Sequence, residues 1–219
     1  VSVNDVQADE IWSFVGGKEK TRVAKDFGDF YGDAYTFVAI ERTSKLIFAW
    51  HLGKRTTGHT YTFAKKLDRA TAGHYQLATD GFMPYKVAIP EVLGGRVDFM
   101  QLIKTYGVEG VAEQRRYSPP VVTGISYGTI MGNPAQDAAC TSHIERSNLS
   151  MRMSTRRFTR LTNAFSKKWS NHKAALGLSF AFYNFGRVHM TVKETPAMAS
   201  GLESHVWMIR ELIEESAKF

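Results

Sequence analysis

Three acidic side chains, far apart in the chain, carry its strongest chemical signal: Asp9, Asp80 and Glu145. Asp9 lies in the aromatic-rich run Val6–Gly16 (VQADEIWSFVG), Asp80 follows the apolar stretch Tyr75–Thr79, and Glu145 stands near the head of the basic segment His143–Arg160 (HIERSNLSMRMSTRRFTR). Carboxylates are natural ligands of hard divalent cations. Two such ions about 3.5–4 Å apart stabilise both the attacking and the leaving oxygen of a phosphodiester. Gathered without cations, the three acids would repel one another, and metal relieves that repulsion. The set therefore reads as a site for two Mg²⁺ ions, with Mn²⁺ able to substitute. Glu10, next to Asp9, is expected on the opposite face of the same strand. Singly, each acid has a plainer reading. Asp9 is then a structural acid in need of a partner, Asp80 a turn residue before Gly81, and Glu145 a first-turn helix acid.

The surroundings of Glu145 point to a polyanion. The net charge is +7, and Thr141–Lys173 holds eight bases against one acid, Glu145. One segment thus carries an excess equal to that of the whole chain, the footprint of a nucleic-acid partner. Asn148, Arg152 and Arg156 follow Glu145 at offsets of three, seven and eleven. Those offsets put them on nearly one face of a helix. Arginines there can grip phosphates by paired hydrogen bonds. Arg146, Arg157, Arg160, Lys167 and Lys168 extend the contact along the DNA backbone, positioning it rather than reading bases. Trp12, Phe14 and Trp169 are candidates for stacking on an unpaired base, with Phe14 favoured as core. His143 lies near the site or faces solvent. The plainer reading of the segment is a solvated helix face.

The elements that must position these groups follow from periodicity. Val6–Val15, Ala34–Glu41 and Lys45–Leu52 read as three antiparallel strands, the last two joined as a hairpin. Thr57–Ala70 reads as a helix with Phe63, Ala64, Leu67 and Ala70 as its stripe. Tyr75–Thr79 is a short buried strand. Pro84–Val92 reads as a helix stopped by Gly94-Gly95, with Pro90 inside it. Residues 104–141 form an irregular insertion between the second and third acids, with one possible strand over Glu113–Tyr117. Helices follow over His143–Leu161 and Ser166–Phe185, and an amphipathic helix over Ser204–Ser216. Residues 166–219 are thus a helical C-terminal part. Strands first and helices last predict an α/β fold, a mixed sheet flanked by helices in one domain spanning 1–219. Asp9 and Asp80 meet if their strands are neighbours.

Composition narrows the class. At 219 residues the chain can bury a substantial core. No run of 18 apolar residues suggests a membrane span, and the N-terminal residues lack the pattern of a signal peptide. The single Cys140 excludes an internal disulfide and a cysteine-built zinc site. A cytoplasmic, nucleoid-associated protein fits these observations.

The segments Ala8–Gly16 (ADEIWSFVG), Thr79–Tyr85 (TDGFMPY) and His143–Arg152 (HIERSNLSMR) resemble the DDE transposases of bacterial insertion sequences, the insertion sequence 1 family most closely. Asp9, Asp80 and Glu145 fall at that family's catalytic triad, and Arg152 where a basic residue is usual. Tyr183–Ala197 (YNFGRVHMTVKETPA) is similar to a pattern that follows the catalytic core in many such enzymes. Tyr183, Asn184, Arg187 and His189 are expected only to buttress a helix end. The resemblance covers about Val6–Leu202. It implies an RNase H-like fold, two Mg²⁺ ions, cleavage and strand transfer at transposon ends, and a homodimer or larger assembly on DNA. Family members generally carry an N-terminal DNA-binding region, and only eight residues precede Asp9 here, so that region is expected to be absent. The alternatives are an RNase H-like nuclease without strand transfer and a non-catalytic DNA-binding or regulatory derivative. A third makes the basic helix a protein-interaction face.

Overall fold

The computed structural model describes residues 1–107, 122–136, 140–158 and 163–218. The first three strands form as their alternation predicts: β1 (Asp5–Val15), β2 (Gly32–Glu41) and β3 (Ile47–Gly53), paired antiparallel in succession. A short helix, α1 (Glu19–Ala24), lies between β1 and β2. Helix α2 (Thr57–Ala70) occupies its expected range and starts at Thr56, whose hydroxyl accepts from the His59 N–H. Strand β4 (Tyr75–Asp80) ends on the second acid. Helix α3 (Tyr85–Leu93) tolerates Pro90 in a short span and ends at Gly94, whose φ of 54° suits glycine.

Two further strands correct the expectation for the middle of the chain. Strand β5 (Val97–Tyr106) runs parallel to β4, and β6 (Val122–Met131) pairs antiparallel with β5. Within the supposed irregular insertion, Lys104–Tyr106 and Val122–Met131 are therefore sheet. The proposed strand Glu113–Tyr117 lies outside the described residues. The result is a mixed α/β architecture around a six-stranded sheet of order β3-β2-β1-β4-β5-β6.

Helix α4 (Ser142–Ser154) is shorter than expected. Its last turns hold Ser150 and Ser154, whose hydroxyls donate to the carbonyls of Arg146 and Ser150 four residues back, competition that weakens a helix. Thr155 then turns extended, and Arg156–Phe158 form a separate 3₁₀ turn. Helix α5 (Trp169–Ala181) continues into a π-helical turn, Phe182–Gly186. Two short helices follow, α6 (Pro196–Ala199) and α7 (Ile209–Ser216), the latter shorter than the Ser204 start expected.

Strand β1 has a core on each of its faces. Val6 and Ala8 enter a core shared with Phe63 and Leu67 of α2 and Tyr85 and Ile89 of α3. Ile11 and Val15 face the other core, with Ile144 and Met151 of α4 and Leu176 and Phe180 of α5. Strands β1 and β4 are adjacent and parallel, with Ala8 opposite Thr79. The next residue on each strand is an acid, Asp9 and Asp80. Among the described residues, no helix is long and apolar enough to cross a membrane.

Candidate active site

Asp9, midway along β1, meets Asp80, the last residue of the parallel neighbour β4. Asp9, Glu10 and Asp80 each offer a carboxylate oxygen, and the three lie within 4.8 Å of one another. Glu10 corrects the sequence reading. Alternation does turn it away from Asp9, toward Arg55, whose Nε donates to Glu10 Oε2 at 3.1 Å. Its longer side chain nevertheless brings an oxygen into the cluster. The Glu10 side chain is only 2% exposed, and its Oε1 has no hydrogen-bond partner.

Each core acid is held by its own scaffold. Asp9 Oδ1 accepts the Glu10 N–H at 2.8 Å, and Asp9 Oδ2 accepts from Asn148 Nδ2 at 2.7 Å. Asp80 Oδ1 accepts the Phe82 N–H at 3.0 Å, which folds the chain sharply after β4. Gln101 on β5, fully buried, donates to the Phe82 carbonyl at 3.1 Å and secures that turn. Burial, then the charge of Asp80, pushes the Asp9 carboxyl up to about 6. The same two causes push Glu10 up to about 7. Burial likewise raises the Tyr85 hydroxyl beside Glu10.

Glu145 lines the same cleft, about 660 Å³ in volume, but stands outside the three-acid cluster. Its Oε1 accepts from Thr141 Oγ1 at 2.6 Å and pairs with Lys104 Nζ of β5. Two resident cations thus face the acids. Lys104 holds Glu145, while Arg55 bridges Glu10 and Asp80, its Nη2 lying 3.6 Å from Asp80 Oδ2. The Arg55 guanidinium also sits 4.0 Å from the centre of the Phe82 ring. Such stacking on an aromatic face suits arginine.

Helix α4 is fixed to β1 by a buried residue that carries no charge. Gln7 Oε1 accepts the N–H groups of His143 and Ile144, each at 3.0 Å, and Gln7 Nε2 donates to Cys140 Sγ at 3.2 Å. Thr141 makes no side-chain cap, so Gln7 satisfies the helix start from across the sheet.

The proposed DNA-contacting row does not form one face. Asn148 is buried, and its amide donates to Asp9 Oδ2. Arg152 is half-buried in the last turn of α4. Arg156 and Arg157 lie beyond the helix, in the 3₁₀ turn. Arg157 Nη1 donates to Ser166 Oγ at 2.8 Å, and that hydroxyl lies 2.9 Å from the buried His172. Arg146, Arg156, Lys167 and Lys168 are exposed, and Arg160 lies outside the described residues. Trp12 and Phe14 are half-buried and contact each other, with Phe14 also against Phe165. Trp169 stands beneath Lys54, whose Nζ is 5.8 Å from the ring centre.

Glu10, Arg55, Gln101, Lys104 and Gln7 were not singled out as site residues from sequence. Only the buried polar pair had a usable signal: Gln7 and Gln101 are amides within apolar strands, where a buried polar group must find a partner. Searches against models of protein families and against curated protein sequences return no match for this chain.

Proposed function

We propose that this chain is the catalytic core of a DDE-type transposase, cutting and joining DNA strands with divalent cations at the ends of a mobile element. The observation that carries the reading is the meeting of Asp9, Glu10 and Asp80 within 4.8 Å, where β4 ends beside the middle of β1, with Glu145 lining the same cleft. Carboxyl groups pushed up by burial and by each other are a donor set that a divalent cation relieves. The unpartnered Glu10 Oε1 and the all-oxygen chemistry of the set fit Mg²⁺ or Mn²⁺. Asp9 and Asp80 would hold the ions, with Glu145 and Glu10 as the further oxygen donors. When bound, such ions supply the positive charge that the transition state of phosphodiester exchange requires.

The chain's own groups do the rest. Asn148 and the Glu10 N–H orient Asp9, and Thr141 orients Glu145. Arg55 and Lys104 stand at the cleft, where each can pass from a carboxylate to a phosphate oxygen as the acids take up cations. The neighbouring β1 and β4, together with the antiparallel β1-β2-β3 meander, support an RNase H-like architecture. Joining two element ends calls for two active sites, hence a dimer or larger assembly on DNA at the nucleoid.

The test is cleavage of a labelled DNA duplex with Mg²⁺ or Mn²⁺, in the presence of a target plasmid and an oligonucleotide bearing a free 3′-hydroxyl. Joined products support the transposase. Cleavage without joining supports the nuclease alternative, and metal-independent binding without cleavage supports a regulatory derivative. Full activity in Asp9→Asn or Asp80→Asn would remove the reading altogether.

A further inference from the structure

On the far side of α4 from the acid cleft lies a second, smaller cavity of about 190 Å³. Five basic residues line it: Lys45, His143, Arg146, Arg187 and His189. Among the described residues, no carboxylate does. Its other polar groups are hydroxyls, those of Tyr183, Ser147, Ser150 and Thr191.

The cavity is built by the segment that follows α5. Asn184, buried in the π-helical turn, accepts the Ile47 N–H at 3.1 Å and donates to the Ile47 carbonyl at 2.8 Å, closing the start of β3. Tyr183 donates to the Lys45 carbonyl at 3.1 Å. Lys45 itself adopts a left-handed φ of 64°. These anchors dock the turn on the sheet, and Arg187 and His189 follow immediately after. The motif therefore does more than buttress a helix end.

Hydrogen bonding fixes both histidines as donors. The Thr191 N–H donates to His189 Nδ1 at 3.2 Å, so the neutral ring carries its proton on Nε2. Lys45 Nζ donates to His143 Nδ1 at 3.2 Å and to the Arg42 carbonyl, leaving His143 with an Nε2 proton as well. Among the described residues, neither the Arg146 nor the Arg187 guanidinium has a hydrogen bond or an ion pair. A small cavity whose charged groups are all cations and whose rings are set as donors has one complementary ligand, a compact oxyanion.

We infer that this cavity binds a phosphate group, and that in the working protein the group belongs to the nucleic-acid backbone a short distance from the cleaved bond. The second clause rests on the proposed function, whereas the first does not. Two measurements on the full chain keep them apart. The first follows the ring resonances of His189 by NMR while inorganic phosphate is added. Saturable shifts are expected, with binding weakened roughly tenfold in Arg187→Gln, the loss of one charge-assisted hydrogen bond. The second measures DNA affinity against salt in EDTA. Arg187→Gln and Arg146→Gln should each lower the slope of log K on log salt by about 1 and weaken binding roughly fivefold to tenfold. Arg210→Gln, the same charge change on exposed α7, should alter the slope by less than half as much. Arg146→Gln, read by the same His189 resonances, serves as the second pocket variant should Arg187→Gln melt early.

If phosphate shifts His189 and the DNA slopes fall, both clauses stand. If phosphate binds but wild-type DNA affinity is untouched by the pocket variants, the ligand is a free phosphate-bearing solute, and the backbone clause is overturned. If wild type binds DNA and cleaves it while phosphate leaves His189 unmoved and the slopes unchanged, the cavity proposal is overturned and the catalytic reading survives. If wild type neither binds nor cleaves DNA but phosphate shifts His189, the catalytic reading fails and the anion site remains.

Discussion

The two sides of helix α4 handle charge in opposite ways. Toward β1 and β4, carboxylates are crowded together and offset by Arg55 and Lys104, cations brought from other elements. Toward the turn after α5, cations are crowded together, and among the described residues no acid lines their cavity. The first side already contains its counter-charges, so a ligand there must exchange with resident groups. The second has no acid among its described lining residues, so a ligand there supplies the facing charge. The contrast suits a surface on which the catalytic cleft has to engage and release, while a neighbouring hold on the substrate stays constant.

The largest expected effect comes from neutralising the crowded acids. Asp9→Asn or Asp80→Asn should lower Mg²⁺-dependent cleavage by at least about a thousandfold, equivalent to some 4 kcal/mol of barrier. DNA affinity in EDTA should hold or rise, since a negative charge is lost. A parallel fall in affinity would mean that the two sides of α4 are not separable.

Next is the anchor of the cation-lined side. Asn184→Ala removes two hydrogen bonds to the buried Ile47 backbone and should cost about 2–3 kcal/mol in chemical denaturation. DNA affinity should fall with it, whereas Mn²⁺ binding at the acid cleft should not.

Arg55→Gln tests the resident cation. It leaves Glu10 buried without its ion pair, so the metal-free protein should lose about 1–3 kcal/mol. Millimolar Mn²⁺ should restore more thermal stability to this variant than to wild type, because a bound cation replaces the lost one. Equal restoration in both would show that Arg55 and metal do not compete for the same acids.

An effect of similar size is in pH. Folding raises Asp9 to about 6 and Glu10 to about 7. A carboxyl raised by folding stabilises the native state at pH values below its unfolded pKa, near 4. That contribution is lost as pH climbs through the folded value. The half-buried His51 and the buried His172, held down to about 4, act in the opposite sense below pH 6.5. The difference between variant and wild type isolates the carboxyl. In metal-free buffer, Asp9→Asn should gain stability relative to wild type between pH 5 and pH 8, by about 1–3 kcal/mol, and Mn²⁺ should reduce the gain.

Much of this arrangement was legible in the residues. Alternation fixed β1 to β3, and the apolar stripe of α2 gave that helix its full range. Strand β5 escaped because its sequence, VDFMQLIKTY, mixes an apolar run with buried Gln101. A central strand covered on both faces shows no clean alternation. Strand β6, with Gly124 and Gly128 and mostly exposed positions, carries little pattern at all. Helix α4 was read too long because it is stopped by serine back-bonding and an extended Thr155, without a glycine or proline to mark the end. The meeting of Asp9 and Asp80 followed correctly from expecting their strands as neighbours. Arg55 and Lys104 were invisible because a lone cation in a mixed sequence signals nothing until the fold sets it against an acid.

Gln7 gives the acid cleft a particular mechanical character. It stands two residues before Asp9, on the same face of β1, and clasps the first N–H groups of the helix that bears Glu145. One carboxamide therefore gauges the gap between acids that lie more than a hundred residues apart in the chain. Lengthening or trimming the intervening sequence need not disturb that gap, whereas replacing Gln7 with leucine would let the helix drift without touching any charged group.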